Sequence, residues 1–165
     1  MRSICLTNNK GGVGKTTTAV SLAHGLVMLL RHNDLPCRVL LIDTDSQAHA
    51  TLLTTGRRDW SRAESLGEVL VARPERAGAV LQQLIVPSTW DEDLHVVPGS
   101  PTLDGVNTRL AEDHGFAVRL RHALPSVADR SDWVVIDTMP SFSRPTTLAM
   151  AAATHPVLPL APRLL

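Results

Sequence analysis

The chain carries no excess of either charge: sixteen lysines and arginines stand against sixteen aspartates and glutamates, a formal net charge of +0. Such a balance exerts no overall pull on nucleic acid or an anionic membrane, so any contact with DNA has to come from a local patch. The nearest clusters, Arg57-Arg58 with Arg62 and Arg119 with Arg121, read better as solvated faces than as a nucleic-acid surface. Long apolar runs are missing too. None reaches the roughly 18 residues needed to span a bilayer, and Met1-Arg2-Ser3 leads at once into a strand-like run with no room for a leader. A cytoplasmic location is expected. Cysteine is scarce: Cys5 and Cys37 lack C-x-x-C spacing and read as small buried hydrophobes in a reducing compartment. The seven histidines show no metal-ligand spacing, and there is no internal repeat.

What is present is an alternation of apolar strands with longer helical patterns. A chain of 165 residues suits one domain, residues 1–165, burying roughly 70% of its unfolded surface. Strands are expected over Ser3 to Thr7, Arg38 to Asp43, Leu94 to Val97, Trp133 to Asp137 and Pro156 to Leu160. Helices are expected over Lys15 to Arg31, near Ser65 to Val71, Arg76 to Leu84 and Gly115 to Ala128, and over Arg144 to Ala153. Near-continuous runs such as Val39-Leu40-Leu41-Ile42 and Val134-Val135-Ile136 suit strands buried on both faces of a parallel sheet. The expected class is α/β, a mostly parallel β-sheet with helices on both faces. The stretch from Gly56 to about Trp90, interrupted by Pro74 and Pro87, reads as surface helices and loops within that domain.

The chemistry concentrates in Lys10-Gly11-Gly12-Val13-Gly14-Lys15-Thr16-Thr17, between the run Ile4-Cys5-Leu6 and the first helical pattern. Glycines let the backbone curl until successive amides and the positive end of a helix dipole point at phosphate. Lys15 is placed to reach the β- and γ-phosphates and Thr16 to ligate Mg²⁺, with the amides from Gly12 to Thr17 around the phosphate chain. A glycine-rich turn that binds nothing is the plain alternative. The strict G-x-x-x-x-G-K-[ST] pattern is absent, because Asn9 stands where its first glycine belongs. Two carboxylate positions complete the site. Asp43 and Asp45 lie at and just beyond the end of one apolar run, and Asp137 ends another, where open α/β sheets place their ligands. Mg²⁺ takes oxygen ligands there, directly or through water, although such aspartates also serve merely to end strands in turns.

The K-G-G-V-G-K-T-T loop resembles the deviant Walker A loop of the ParA/MinD family of partitioning and positioning ATPases, a SIMIBI-like branch of the P-loop NTPases. The resemblance extends to Asp43-Thr44-Asp45-Ser46-Gln47, to Val97-Pro98-Gly99-Ser100 and to Asp137-Thr138. It implies that Lys10 is the signature lysine, acting across an ATP-sandwich homodimer, and that Asp45 orients or deprotonates the attacking water. It places Asp43 on the metal side and Asp137 in the Mg²⁺ shell with Thr16. ATP and Mg²⁺ are the implied ligands; no N-K-x-D segment for guanine is present. A ParB-like stimulating protein, non-specific DNA binding at the nucleoid, and plasmid or chromosome segregation are implied as well. The cysteine pattern counts against the iron–sulfur relatives of this class.

Departures fall in the loops that sense the γ-phosphate: Ser46 for the family's proline, Ala48 for its glycine, His49 for its asparagine and Met139 for a proline. Family members commonly run on for several more elements, and Leu148 to Leu165 is strongly apolar, so exposed apolar surface is expected there. Three rivals stand. A MinD-like membrane role needs an amphipathic basic helix, which that proline-broken segment is not. A relative positioning another cargo is not separable by sequence. A non-catalytic or truncated nucleotide-binding module is favoured by the altered loops.

Overall fold

The computed structural model describes residues 1–109, 115–141 and 143–160. Its elements in chain order are β1 (Arg2–Leu6), α1 (Lys15–His32), β2 (Val39–Asp43), α2 (His49–Thr55), α3 (Leu66–Val71), α4 (Pro74–Gln83), β3 (Val86–Pro87), β4 (Leu94–Val97), α5 (Leu103–Arg109), α6 (Phe116–Ala123), β5 (Trp133–Asp137), α7 (Arg144–Ala152) and β6 (His155–Val157). The strands make one sheet in the order β3-β4-β2-β5-β1-β6. All pairs are parallel except β3 with β4.

Strand alternation sorts the side chains into two cores. Leu6, Val39, Leu41, Leu94 and Val135 pack with Ala19, Val20, Ala23 and Val27 of α1 on one face. Cys5, Leu40, Ile42, Val97, Val134 and Ile136 pack on the other with Leu66 and Leu70 of α3, Leu81 of α4, Leu120 of α6 and Leu148 of α7. Each fully buried leucine is worth about 1.5–3 kcal/mol. With both faces covered, β2 is buried along its whole length, as its unbroken apolar sequence requires. The register puts Asp43 beside Asp137 and Asp137 beside Leu6. The ends of β1, β2 and β5 therefore open at one level, where the glycine-rich loop begins.

Several boundaries differ from the sequence expectation. The long helix expected over Gly115 to Ala128 is broken into α6 and a 3₁₀ turn at Leu124–Val127, because Pro125 has no N–H to continue an α-helix. α4 starts at Pro74, two residues early, with the proline in its first turn, where a missing N–H costs nothing. α2, α5 and the two-residue antiparallel β3 were not expected. β6 is shorter than expected and ends at Val157; beyond it the Pro159 carbonyl accepts from Asn8 Nδ2 at 2.9 Å instead of a strand partner. The 56–90 stretch is more than surface, since Leu66, Val69, Leu70, Ala77 and Leu81 are core residues.

Cys5 is buried as expected, but Cys37 is half-buried and its thiol donates to Asp93 Oδ2 at 3.1 Å, so it does not behave as a plain hydrophobe. Arg57 is paired with Glu64 and lies over the Trp60 ring, and Arg62 is paired with Glu68, in keeping with a solvated face. β6 lies at the sheet edge, and Leu158 and Leu160 are exposed, giving the apolar surface expected there. Residues 161–165, the end of that apolar segment, lie outside the described residues. No helix among the described residues is long and apolar enough to cross a membrane.

Candidate functional site

The loop between β1 and α1 is shaped by glycine. Gly12 and Gly14 have φ of 70° and 86°, the left-handed region that side-chain-bearing residues avoid. Gly14 caps α1 without any side-chain bond, and the first turn of the helix holds no acidic residue. Its leading amides are thus free to meet an anion, with the dipole's positive end behind them. Upstream, the Lys10 amide donates to Asn8 Oδ1 at 2.9 Å. The Lys15 ammonium folds back across the loop to the Lys10 carbonyl, 3.1 Å away. Burial draws the Lys15 pKa below the ordinary lysine value, while Asp137 and Asp45 pull it upward. Beside the loop is a cavity of about 330 Å³, lined by Gly12, Gly14, Lys15, Thr16 and Thr17 of the loop and helix start and by Asp45, Gln47, His49, Thr138 and Pro140 from elsewhere in the chain.

The two buried carboxylates differ in what surrounds them. Asp43 Oδ1 accepts from the Asp45 amide at 3.0 Å, and Oδ2 accepts from the amide and hydroxyl of Thr51 at 2.9 and 2.7 Å. Asp137 is equally buried, yet neither of its oxygens has a hydrogen-bond partner among the described residues. Burial lifts both carboxyls above the usual range, and the neighbouring Asp43 lifts Asp137 further. The Thr16 hydroxyl and the Thr138 amide oppose that rise, although neither reaches hydrogen-bond geometry with the carboxylate. The main chain here is stitched across strands: Thr44 donates through N–H and hydroxyl to the Asp137 carbonyl, and the Thr138 hydroxyl donates to the Leu6 carbonyl at 2.7 Å.

Of the residues singled out in the sequence, the structure gathers Gly12, Gly14, Lys15, Thr16, Thr17 and Asp45 on one cavity, with Asp137 buried close enough to act on Lys15. Asp43 faces inward onto Thr51. Lys10, Gly11 and Val13 do not line the cavity, and Lys10 is exposed. Asp45 Oδ1 accepts from the Gln47 amide at 2.9 Å, and the Ala48 amide bonds the Asp45 carbonyl. These two bonds close the turn that presents the Asp45 carboxylate. Sequence reasoning missed Thr51 and Pro140, and treated Gly99 only as part of a resemblance. Thr51 follows Asp43 by eight positions, which no spacing rule marks. Among the described residues no three His, Cys, Asp or Glu side chains converge as a metal cage.

A family model described as an AAA domain matches residues 1–165. The chromosome partitioning protein ParA of Myxococcus xanthus is 36% identical over 96% of this chain and 52% of its own length. The chromosome-partitioning ATPase Soj of Thermus thermophilus is 37% identical over 97% of the chain and 55% of its length. A structure of cobyrinic acid a,c-diamide synthase from Mycobacterium smegmatis, with bound ATP analogue and magnesium, superimposes with a TM-score of 0.79 at 30% identity, over 97% of this chain and 58% of that one. The chain thus spans about half the length of the curated relatives it matches. The chain belongs to this AAA-domain family, and its curated matches include ParA/Soj partitioning ATPases.

Proposed function

We propose that the chain binds Mg-ATP in the cavity beside the glycine-rich loop and hydrolyses it slowly, as an ATP-dependent dimerisation switch in plasmid or chromosome partitioning. The observation that carries this reading is Asp137, a fully buried carboxylate without a hydrogen-bond partner among the described residues, set near Thr16 and the loop lysine. Buried polar groups are ordinarily satisfied. A divalent cation with its waters would supply what Asp137 lacks, so the residues fit magnesium. Thr16 and Asp137 would hold the ion, and Asp43 would arrange that side through the strand pairing that sets it beside Asp137. When bound, magnesium neutralises charge on the phosphate oxygens.

The chain's own groups do the rest. The loop amides and Lys15 bind the phosphates, and the ammonium exchanges its contact with the Lys10 carbonyl for phosphate oxygens. The Asp45 carboxylate, which also lines the cavity, accepts a hydrogen bond from a water and turns its lone pair toward the γ-phosphorus; the bond to the ADP oxygen breaks as that water adds. Lys10, exposed and outside the cavity, is free to reach the phosphates of a facing copy in a homodimer. A ParB-like stimulating protein, non-specific DNA binding and a cytoplasmic, nucleoid-associated location belong to the same reading.

Titration calorimetry with ATP and ADP in magnesium tests it, and folded protein that returns no binding heat would sink it. A second reading, a nucleotide-binding module without turnover, draws on the left-handed Ala48 in the loop facing the phosphates. Measured phosphate release, with and without DNA, separates the two.

A further inference from the structure

Thr51, in the first turn of α2, is fully buried and occupies a junction. Its amide and hydroxyl both donate to Asp43 Oδ2, at 2.9 and 2.7 Å, and its hydroxyl oxygen accepts from the Gly99 amide at 2.9 Å. The other Asp43 oxygen holds the Asp45 amide at 3.0 Å. Four segments meet through these bonds: the end of β2, the Asp45 turn, the start of α2 and the loop leaving β4. Gly99 adds a steric limit. A Cβ there would lie 2.8 Å from the Asp45 carbonyl oxygen, 2.9 Å from Asp43 Cγ and 3.0 Å from the Asp43 carbonyl oxygen, so only glycine lets the β4 exit loop press against the turn. That loop is anchored from behind, where the Leu66 amide donates to the Pro98 carbonyl at 2.8 Å and the Ser65 and Ser100 hydroxyls meet at 3.2 Å.

We propose that Thr51 and Gly99 are positioning residues for Asp45, acting through the Asp43 carboxylate to fix the turn that presents Asp45 to the phosphate cavity. This deepens the proposed function and rests on it for the assignment of Asp45 to the attacking water. A carboxylate that orients a water works only within a narrow range of placement. The Asp45 turn has few bonds of its own, from the Gln47 and Ala48 amides. Among the described residues the Thr51 hydroxyl is the one side-chain group that ties both the Asp43 carboxylate and the Gly99 amide, and valine in its place keeps the shape while removing that acceptor.

The experiment compares Thr51→Val, Thr51→Ser and Gly99→Ala in the full chain, reading kcat and KM for Mg-ATP together with amide hydrogen exchange at Asp45 and Gly99 in nucleotide-free protein. Thr51→Val and Gly99→Ala are expected to lower kcat by about 10–100-fold, the usual effect of losing a supporting group, with KM nearly unchanged because the loop that binds the phosphates is untouched. Thr51→Ser restores the hydroxyl and is expected to restore kcat. Exchange at Asp45 and Gly99 is expected to speed up in Thr51→Val and to return in Thr51→Ser. Wild-type turnover and exchange in Thr51→Val overturn the proposal. So does a serine variant as impaired as the valine one, since bulk packing and not the hydroxyl would then be responsible. If the unaltered chain binds no ATP, the proposed function falls on that result alone, and the exchange comparison still decides whether Thr51 and Gly99 hold the Asp45 turn.

Discussion

Replacing Asp137 by asparagine sets the needs of the fold against those of a ligand. In the free chain this carboxylate is fully buried, has no hydrogen-bond partner among the described residues and stands beside Asp43 in the β2–β5 register. With neighbouring strands about 4.8 Å apart, two ionised carboxylates at an effective dielectric near 20 would repel by about 3 kcal/mol. Burial relieves part of this by favouring the protonated form. Asparagine keeps the shape and removes the charge, so it should stabilise the free chain by about 1–2 kcal/mol, roughly 2–8 °C in melting temperature for a chain of this size. Thermal unfolding followed by circular dichroism near neutral pH, with magnesium chelated, reads that difference. Mg-ATP at a hundredfold excess over Kd should then add about 2.7 kcal/mol to the wild type and almost nothing to the variant. A variant that melts at or below the wild type without ligand refutes the argument that the carboxylate is retained against the interest of the fold. One that keeps the full Mg-ATP shift removes Asp137 from the metal site.

Lys15→Ala should abolish tight Mg-ATP binding in calorimetry. Lys10→Ala should leave binding measurable while removing ATP-dependent dimerisation; identical size-exclusion profiles of the unaltered chain with and without Mg-ATP would instead count against the switch. Asp45→Ala should retain ATP binding and lose hydrolysis, and unchanged phosphate release would take Asp45 out of its role. Away from the site, Arg31 bridges Asp91 and Asp93 at 2.6 and 2.7 Å, and its guanidinium holds both carboxyls below their usual range. Their folded pKa values are depressed, so the pairing stabilises above the ordinary carboxylate pKa of about 3.9 and fades as pH falls through the lowered values. The gap in melting temperature between wild type and Arg31→Ala, small because the arginine is exposed, should therefore close on acidification; a gap constant from neutral pH to strong acid would contradict the pairing.

The parts of the fold legible in the sequence were those where one physical signal dominates. Val39-Leu40-Leu41-Ile42 and Val134-Val135-Ile136 have no polar side chain to turn toward water, so they could only be interior strands, and they became β2 and β5. The glycine-rich loop was legible because its chemistry is local: the left-handed turns at Gly12 and Gly14 need glycine wherever the chain then goes. The omissions have equally specific causes. α2 has seven residues and starts from a left-handed alanine without a capping side chain, so neither periodicity nor a start signal marks it. β3 contains Pro87 and survives because it lies at the sheet edge, where a missing donor costs little. Thr51 was invisible because its importance comes from Asp43 and Gly99, the second 48 positions away; only the folded sheet brings them together.

That dependence on tertiary contacts bears on the Asp45 to His49 loop beside the cavity, where the sequence differs from the pattern it resembles. Ala48, where the resemblance implies a glycine, takes φ 51°, a conformation that costs an L-residue roughly 1–2 kcal/mol. A strained residue persists only where its surroundings over-determine it. Here the constraints can be named: the Ala48 amide on the Asp45 carbonyl, the Gln47 amide on the Asp45 carboxylate, and the Thr51–Asp43 clasp immediately beyond. The loop therefore keeps its turn without the residue that makes it cheap. Ser46 and Ala48 are buried within it, while Gln47 and His49 reach the cavity from its exposed side. On the proposed function, these departures fall in the loop that meets the phosphates and leave the glycine-rich loop unaltered, so their effect should fall on turnover more than on binding.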